Sequence, residues 1–202
     1  MKRKNLEHII RAAGACASLD SLYIMGSQAI LGEHPELDSV GMLGSQNYNF
    51  KLKEITESIL LVSEEADVLV PEDYRKAEMI EGAIGENSLF HENFGYYAQA
   101  IDETTCKLPD GWRKRLIPIC NEGTNGVTGY CLETHDIIIS KLVAGREKDI
   151  RYFQAACSLK ILSKDKLLSR LDSTQNISDN DRERVRAVIQ REITNELSRE
   201  IG

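Results

Sequence analysis

The hydrophobic pattern of the chain changes near residue 133, and this change is the strongest constraint on its fold. Before it, amphipathic helical stripes alternate with short apolar runs typical of strands, whereas after it apolar residues recur at helical spacing. The predicted strands are short apolar or β-branched runs, and they cover 22–25, 66–70, 96–101, 116–119 and 127–132. The pattern predicts an α+β core followed by an all-α segment.

The predicted helices are defined by apolar residues at i, i+3, i+4 and i+7. They cover 6–17, 27–31, 51–61, 73–84, 134–145 and 147–159, with further helices after residue 160. The segments 32–49 and 90–97 are predicted as loops. We expect a core of residues 1–133 and a C-terminal helical subdomain of residues 134–202 that packs on this core.

The charge of the chain is acidic and unevenly spread. There are 25 Lys and Arg residues against 32 Asp and Glu residues, for a formal net charge of −7. This balance argues against an uncompensated surface for nucleic acid or for an anionic membrane. Residues 64–103 hold eleven acids and two bases, a local charge of −9, so the acid is concentrated in one stretch.

The spacing of the cysteines and histidines argues against a zinc site and against the disulfide framework of a secreted protein. The five cysteines form no CxxC pair and are expected to be buried thiols, and the four histidines make no HExxH spacing. No apolar run approaches the roughly 20 residues of a membrane span, and no signal peptide is visible. We therefore expect a cytoplasmic protein.

Gly26 and Ser27 lie at a junction between a predicted strand and a predicted helix. Glycine permits a close backbone approach at such a junction, and the serine hydroxyl with the first helical amides is suited to a phosphate group. A plain turn with serine as the N-cap is the alternative interpretation.

Glu65 and Asp67 open the second predicted strand. Since side chains alternate across a strand, the two carboxylates project from the same face. Two carboxylates this close repel each other unless they bind a divalent cation such as Mg²⁺, which also binds substrate phosphates. The alternative is that both lie in water at the end of the strand.

Lys141, Arg146 and Asp149 form a third group of charges on or between two predicted helices. Lys141 interrupts the apolar run IIISKLVA, where its ammonium group either extends to water or meets a triphosphate. The run GREKD is also typical of an exposed helical turn.

Together these segments resemble the polymerase-β-like nucleotidyltransferase superfamily, whose signature is a strand, Gly-Ser, a helix and a strand with two acids separated by one residue. The matching order is YIMGSQAIL followed by SEEADVLVP. Residues 85–149, including GVTGYCLETHDIIISKLVAGREKD, are similar to an uncharacterised bacterial family of predicted nucleotidyltransferases. That family is a distant relative of the toxins of type IV abortive-infection toxin–antitoxin systems. The resemblance implies a mixed sheet flanked by helices.

The resemblance also implies roles in the first part of the chain. Gly26 and Ser27 match the phosphate-holding Gly-Ser, and Glu65 and Asp67 match the acids that hold Mg²⁺ or Mn²⁺. Two departures are visible: the superfamily prefers aspartate at position 65, and Gly-Ser is followed by Gln28 rather than by an acid or a base.

In the second part, Lys141 and Ala144 match the KxxA motif of the toxins, whose lysine contacts the nucleotide. Arg146 is grouped with Lys141 as a nucleotide-binding residue, and Asp149 matches a later essential acid of the toxins.

A third carboxylate is expected to take the proton from the attacking hydroxyl. Asp102, at the end of the predicted strand 96–101, is the first candidate, and Asp136 is the alternative, although it is also suited to capping a helix. Through the resemblance, Asp149 is a further catalytic candidate for the contact with the attacking hydroxyl. His91 or Tyr96 is placed to stack on a base or to close a small core. Trp112 and the three cations after it suggest either an RNA contact or an amphipathic helix.

The resemblance thus implies a metal-dependent enzyme that transfers a nucleoside monophosphate from a nucleoside triphosphate (NTP) to a hydroxyl acceptor on RNA, protein or a small molecule. The resemblance adds a toxin-like role with an antitoxin-like partner. The alternative is a catalytically degenerate fold that acts as a nucleotide-binding or partner-binding module.

Overall fold

The structure, a computed structural model, describes residues 1–39, 59–71 and 73–201, with side chains described as far as residue 192. Most of the helix predicted at 51–61 and of the loop predicted at 32–49 lies outside these residues. The fold class is α+β, as predicted.

In the described part of the chain, five strands form one mixed sheet. Their bounds are β1 (Ser21–Ile24), β2 (Glu65–Leu69), β3 (Tyr97–Ile101), β4 (Ile117–Ile119) and β5 (Thr128–Cys131). The order across the sheet is β3-β2-β1-β5-β4. Strands β1 and β5 are parallel, as are β2 and β3, whereas β1–β2 and β4–β5 are antiparallel. The strand that precedes the Gly-Ser turn is therefore central and adjoins the strand that carries the acid pair.

Eight α-helices are described. They are α1 (Arg3–Ala17), α2 (Ile30–Glu33), α3 (Tyr74–Ile84), α4 (Leu89–Phe94), α5 (Thr134–Ala144), α6 (Glu147–Ser158), α7 (Lys164–Asp172) and α8 (Asp179–Ile201). None of the described helices is long and apolar enough to cross a membrane. The prediction of a loop at 90–97 is wrong for the part that forms α4. Ser88 caps this helix, which is too short to show a periodic hydrophobic pattern.

The apolar stripe of α1 packs on the sheet and fixes which face of the sheet is buried. Its buried residues are Leu6, Ile9, Ile10, Ala13, Gly14 and Ala17. Each fully buried leucine or isoleucine stabilises the fold by about 1.5–3 kcal/mol. On β2, Ala66 and Val68 are buried, so Glu65 and Asp67 point to the opposite, half-exposed face.

Contacts divide the chain into two compact units. The first comprises Met1–Thr105 and Arg115–Glu133 and holds the sheet with α1 to α4. The second comprises Cys106–Lys114 and Thr134–Gly202 and holds α5 to α8. Packing of the helical subdomain on the sheet stays a prediction.

The cysteines follow the predicted burial only in part. Cys131 and Cys157 are buried, and burial raises the pKa of the Cys131 thiol to about 12. Cys16 and Cys106 are half-buried and Cys120 is exposed, so the prediction is wrong for Cys120. The position of Cys120 just after the short strand β4 explains its exposure.

Candidate active site

The Gly-Ser turn lies in direct contact with Asp67. The Met25 amide donates a hydrogen bond to the Asp67 carbonyl at 2.8 Å, which extends the pairing of β1 with β2 by one residue. Gly26 has φ +59° and ψ −158°, a conformation restricted essentially to glycine. A Cβ atom at Gly26 would lie 1.7 Å from Asp67 Oδ2, so the carboxylate occupies the space that a side chain would fill. The glycine therefore brings the turn against the acid.

Gln28 is a buried side chain that supports the turn from within. Its Nε2 donates to Ser27 Oγ at 3.5 Å and to the Leu60 carbonyl at 3.4 Å. Its Oε1 is buried and, among the described residues, has no hydrogen-bond partner. A buried amide oxygen without a hydrogen-bond partner is unfavourable. This oxygen is an available hydrogen-bond acceptor in the residue next to Ser27.

Glu65 shares the face of β2 with Asp67 and is contacted by the neighbouring strand. Glu65 pairs in register with Tyr97 on β3, and the Tyr97 hydroxyl donates to Glu65 Oε2 at 3.2 Å. Burial and the charge of Glu65 raise the pKa of Tyr97 to about 12. The phenol therefore keeps its proton and acts as a donor to the carboxylate at neutral pH.

The register of β3 determines where a third acid can lie. Gln99, which is exposed, pairs with Asp67, and β3 ends at Ile101. Asp102 lies three residues beyond Gln99, a distance of about 10 Å along a strand. The side chain and amide of Thr104 donate to Asp102 Oδ1, and these hydrogen bonds lower the pKa of Asp102. Its role as the third acid stays a prediction.

Asp136, the alternative third acid, lies in the second unit, in the first turn of α5. Its side chain is fully buried and lies 3.2 Å from Arg170 Nε of α7. This ion pair gives Asp136 a structural role between two helices.

Glu65 and Asp67 fit a magnesium ion in the kind and number of their donors. Mg²⁺ prefers oxygen ligands and is usually held by one or two carboxylates together with waters and substrate phosphates. Among the described residues there is no group of three or more His, Cys, Asp or Glu side chains arranged to hold a metal.

Lys141 is held in place by an anion and an aromatic ring of α6. Its Nζ lies 3.4 Å from Asp149 Oδ1 and 4.5 Å from the centre of the Tyr152 ring. Arg146 approaches the same carboxylate, with Nε 2.6 Å from Oδ2 and Nη2 3.2 Å from Oδ1. The Asp149 side chain is fully buried, so one buried carboxylate is shared by two cations.

The protonation of Asp149 follows from these contacts. Burial by itself raises the pKa of the carboxyl, but hydrogen bonds from Arg146 and the charges of Lys141 and Arg146 outweigh it, and the pKa is lowered. Asp149 is therefore ionised at neutral pH and hydrogen-bonded to both cations. This arrangement suits an anion that orients Lys141 better than a base that accepts a proton.

Arg184 of α8 closes the end of α5 that carries Lys141. It donates to the carbonyls of Leu142 and Val143, each at 3.0 Å, and pairs with Asp181 at 3.0 Å. The last carbonyls of a helix lack partners within the helix, so this contact satisfies them. The KxxA segment is thus fixed from α8 as well as from α6.

The family to which the chain belongs follows from comparison with known protein families. The family described as "Nucleotidyltransferase of unknown function (DUF6036)" matches residues 22–197. The chain belongs to this family. No curated protein and no solved structure matches the chain significantly. The matched stretch includes the Gly-Ser turn, the acid pair and the Lys141 cluster.

Two aromatic segments of the chain make close contacts through their rings. In the first, the rings of His8, Phe90, Phe94 and Tyr96 have centroids 4.7 to 6.1 Å apart, and His8 Nδ1 lies 2.9 Å from the Tyr96 hydroxyl. Trp112 is only 9% exposed, and the Arg113 guanidinium lies 4.4 Å from its ring centroid. The ring contacts of Tyr96 favour the small-core interpretation over base stacking. The burial of Trp112 beside the exposed Arg113 and Lys114 favours an amphipathic turn over an RNA contact.

The structure adds three residues to the site that the sequence analysis did not assign. Tyr97 contacts Glu65, Gln28 contacts Ser27, and Tyr152 contacts Lys141. Tyr152 follows Asp149 by three residues, so helical spacing could have indicated it. The contact of Tyr97 depends on strand register, which no local sequence pattern specifies.

Proposed function

We propose that the chain is a metal-dependent nucleotidyltransferase that transfers a nucleoside monophosphate from an NTP to a hydroxyl acceptor on RNA, protein or a small molecule. The bond from the α-phosphorus to the acceptor oxygen forms, the bond to the pyrophosphate oxygen breaks, and pyrophosphate leaves. The contact between the Asp67 carboxylate and the Gly26 backbone carries the proposal, because the acid proposed to bind the metal lies against the turn proposed to bind phosphate.

The first unit would hold the phosphates and the metal. In this proposal the Ser27 hydroxyl and nearby backbone amides bind the β- and γ-phosphates, with Gln28 bracing the hydroxyl. Glu65 and Asp67 would hold Mg²⁺ or Mn²⁺. When bound, the cation neutralises charge on the phosphates during transfer.

The second unit would supply positive charge. Lys141, oriented by Asp149 and Tyr152, would contact the triphosphate together with Arg146. The proposal requires these cations to reach the nucleotide bound by the first unit. It is supported by the family match, which spans both units.

Asp102 is the residue proposed to receive the proton of the attacking hydroxyl. Asp149 is less suited because two cations hold its carboxylate. A strong base is not needed, since catalysis of phosphoryl transfer rests on positioning and on stabilisation of charge.

The test is a transfer assay with α-³²P-labelled NTPs, Mg²⁺ and either total RNA or cell lysate as the source of acceptor. We expect the wild-type chain to label an acceptor and Asp67→Asn to reduce this labelling at least about 100-fold, as loss of a group that stabilises transition-state charge does. The exposed Asp20 offers a matched control, and Asp20→Asn should label like wild type. Equal labelling by wild type and Asp67→Asn, or no labelling with any NTP, would contradict the proposal.

A catalytically degenerate, nucleotide-binding module is the second candidate. It is favoured by Gln99, an amide where a carboxylate beside Asp67 would complete a triad, and by glutamate instead of aspartate at position 65. Calorimetry would then show NTP binding that depends little on Mg²⁺, without turnover. The toxin-like role and the antitoxin-like partner rest on the resemblance alone and would show as arrested growth when the chain is expressed by itself.

A further inference from the structure

The contact between Tyr97 and Glu65 is a link between two strands on the face of the acid pair. The Tyr97 hydroxyl donates to Glu65 Oε2 at 3.2 Å, and the two residues are register partners on the parallel strands β2 and β3. The hydrogen bond uses one oxygen of the carboxylate. Within the described parts of the chain, the other oxygen, Oε1, makes no hydrogen bond, and the side chain lies on the face shared with Asp67.

Glu65 needs such a contact more than an aspartate would. Its side chain has one more rotatable bond than aspartate, so an unsupported carboxylate samples more positions around the site. Partners that hydrogen-bond a metal-binding carboxylate fix its orientation and tune the metal site. Tyr97 supplies this kind of contact for Glu65.

Tyr97 is itself fixed in place by its surroundings. Its amide donates to the Glu64 carbonyl at 3.0 Å, and its ring packs against His91, with ring centroids 4.6 Å apart. The His91 ring is anchored in turn, because its Nδ1 accepts a hydrogen bond from the Asn87 amide at 3.1 Å. The hydroxyl of Tyr97 is thus presented to Glu65 by a backbone contact and a ring contact.

We propose that Tyr97 is a positioning residue that holds Glu65 in the orientation in which it binds the divalent cation, and so allows glutamate to serve at a position where aspartate is usual. The inference rests on the proposed function, since it requires a metal at Glu65 and Asp67. It assigns Tyr97 no contact with the substrate or with the reacting atoms.

Direct titration of Mn²⁺ onto the full chain, read by electron paramagnetic resonance, tests the inference without requiring turnover. We expect Tyr97→Phe to weaken Mn²⁺ binding about tenfold, the lower range for loss of a partner of a metal ligand. Tyr96→Phe is the matched control, because it removes a hydroxyl from the adjacent residue, which contacts His8 and not Glu65. It should bind Mn²⁺ like wild type.

A Glu65→Asp background separates positioning from a general effect on the fold. The shorter side chain withdraws the carboxylate from the tyrosine, so Tyr97→Phe should cause no further loss of Mn²⁺ affinity there. An equal loss in both backgrounds would show that Tyr97 acts through the fold, and it would overturn the inference. Unchanged affinity in Tyr97→Phe alone would overturn it as well.

Asp67→Asn distinguishes failure of the inference from failure of the proposed function. If Asp67→Asn abolishes Mn²⁺ binding while Tyr97→Phe leaves it intact, the proposed function stands and the inference about Tyr97 fails. If wild type does not bind Mn²⁺, or binds it as well as Asp67→Asn does, the proposed function and the inference fail together.

Discussion

Gly26 is the residue on which the geometry of the site depends most directly. The sequence indicated a glycine that allows close backbone approach, and the structure shows that the approaching group is the Asp67 carboxylate. The motif predicted the glycine, but its partner comes from a strand some forty residues later, so only the folded pairing of β1 with β2 reveals the contact.

Replacement of Gly26 by alanine should therefore be costly. The Cβ atom would displace the Asp67 carboxylate, and the conformation at φ +59° is strained for any other residue. We expect Gly26→Ala to lower the free energy of unfolding by about 1–3 kcal/mol and to abolish Mn²⁺ binding. Urea unfolding and Mn²⁺ titration measure the two effects.

Gly82→Ala is the matched control for this substitution. Gly82 lies in α3, and nothing lies within 4 Å of a Cβ built there. Since alanine favours a helix over glycine, the variant should be as stable as wild type or more stable by up to about 1 kcal/mol. Similar losses in Gly26→Ala and Gly82→Ala would contradict the importance of the Gly26 contact.

The elements of the site differ in how far the sequence predicts them. The alternation of β2 was sufficient to place Glu65 and Asp67 on one face, because a strand repeats every two residues. The sequence did not predict that Glu65 pairs with Tyr97 and that Asp67 pairs with Gln99. Strand register depends on contacts between residues that are distant in the sequence.

The helices α5 and α6 meet through the ion pairs of Asp149, and this contact should make stability depend on pH. The pKa of Asp149 is lowered in the folded state, so its ionised form stabilises the fold above its ordinary value of 3.8, and the stabilisation is lost as the pH falls through the lower, folded value. Asp149→Asn should lower the free energy of unfolding by about 2 kcal/mol at pH 7.

Urea unfolding between pH 7 and pH 3 measures the difference in the free energy of unfolding between wild type and Asp149→Asn. The gap between wild type and Asp149→Asn should narrow as the pH falls below 3.8. The exposed Asp20 again provides a control, since Asp20→Asn should stay within about 0.5 kcal/mol of wild type at pH 7. A gap that stays constant with pH would show that the Asp149 charge does not stabilise the fold.

For the molecule as a whole, the alternation of helices and strands predicted the α+β class. The hydrophobic periodicity of most elements is recognisable even where the end of an element is misplaced by a few residues. The short helix α4 was missed since six residues hold too few turns for periodicity, and the exposure of Cys120 depends on where a short strand ends. The joint action of residues from both compact units on one nucleotide is the central proposal.

The decisive experiment is a crystal of the full chain soaked with Mn²⁺ and a non-hydrolysable NTP analogue. We expect anomalous density for Mn²⁺ bound to the carboxylates of Glu65 and Asp67, with the triphosphate along Gly26 and Ser27 and contacted by Lys141. A triphosphate bound elsewhere, or no Mn²⁺ at the acid pair, would contradict the proposed function.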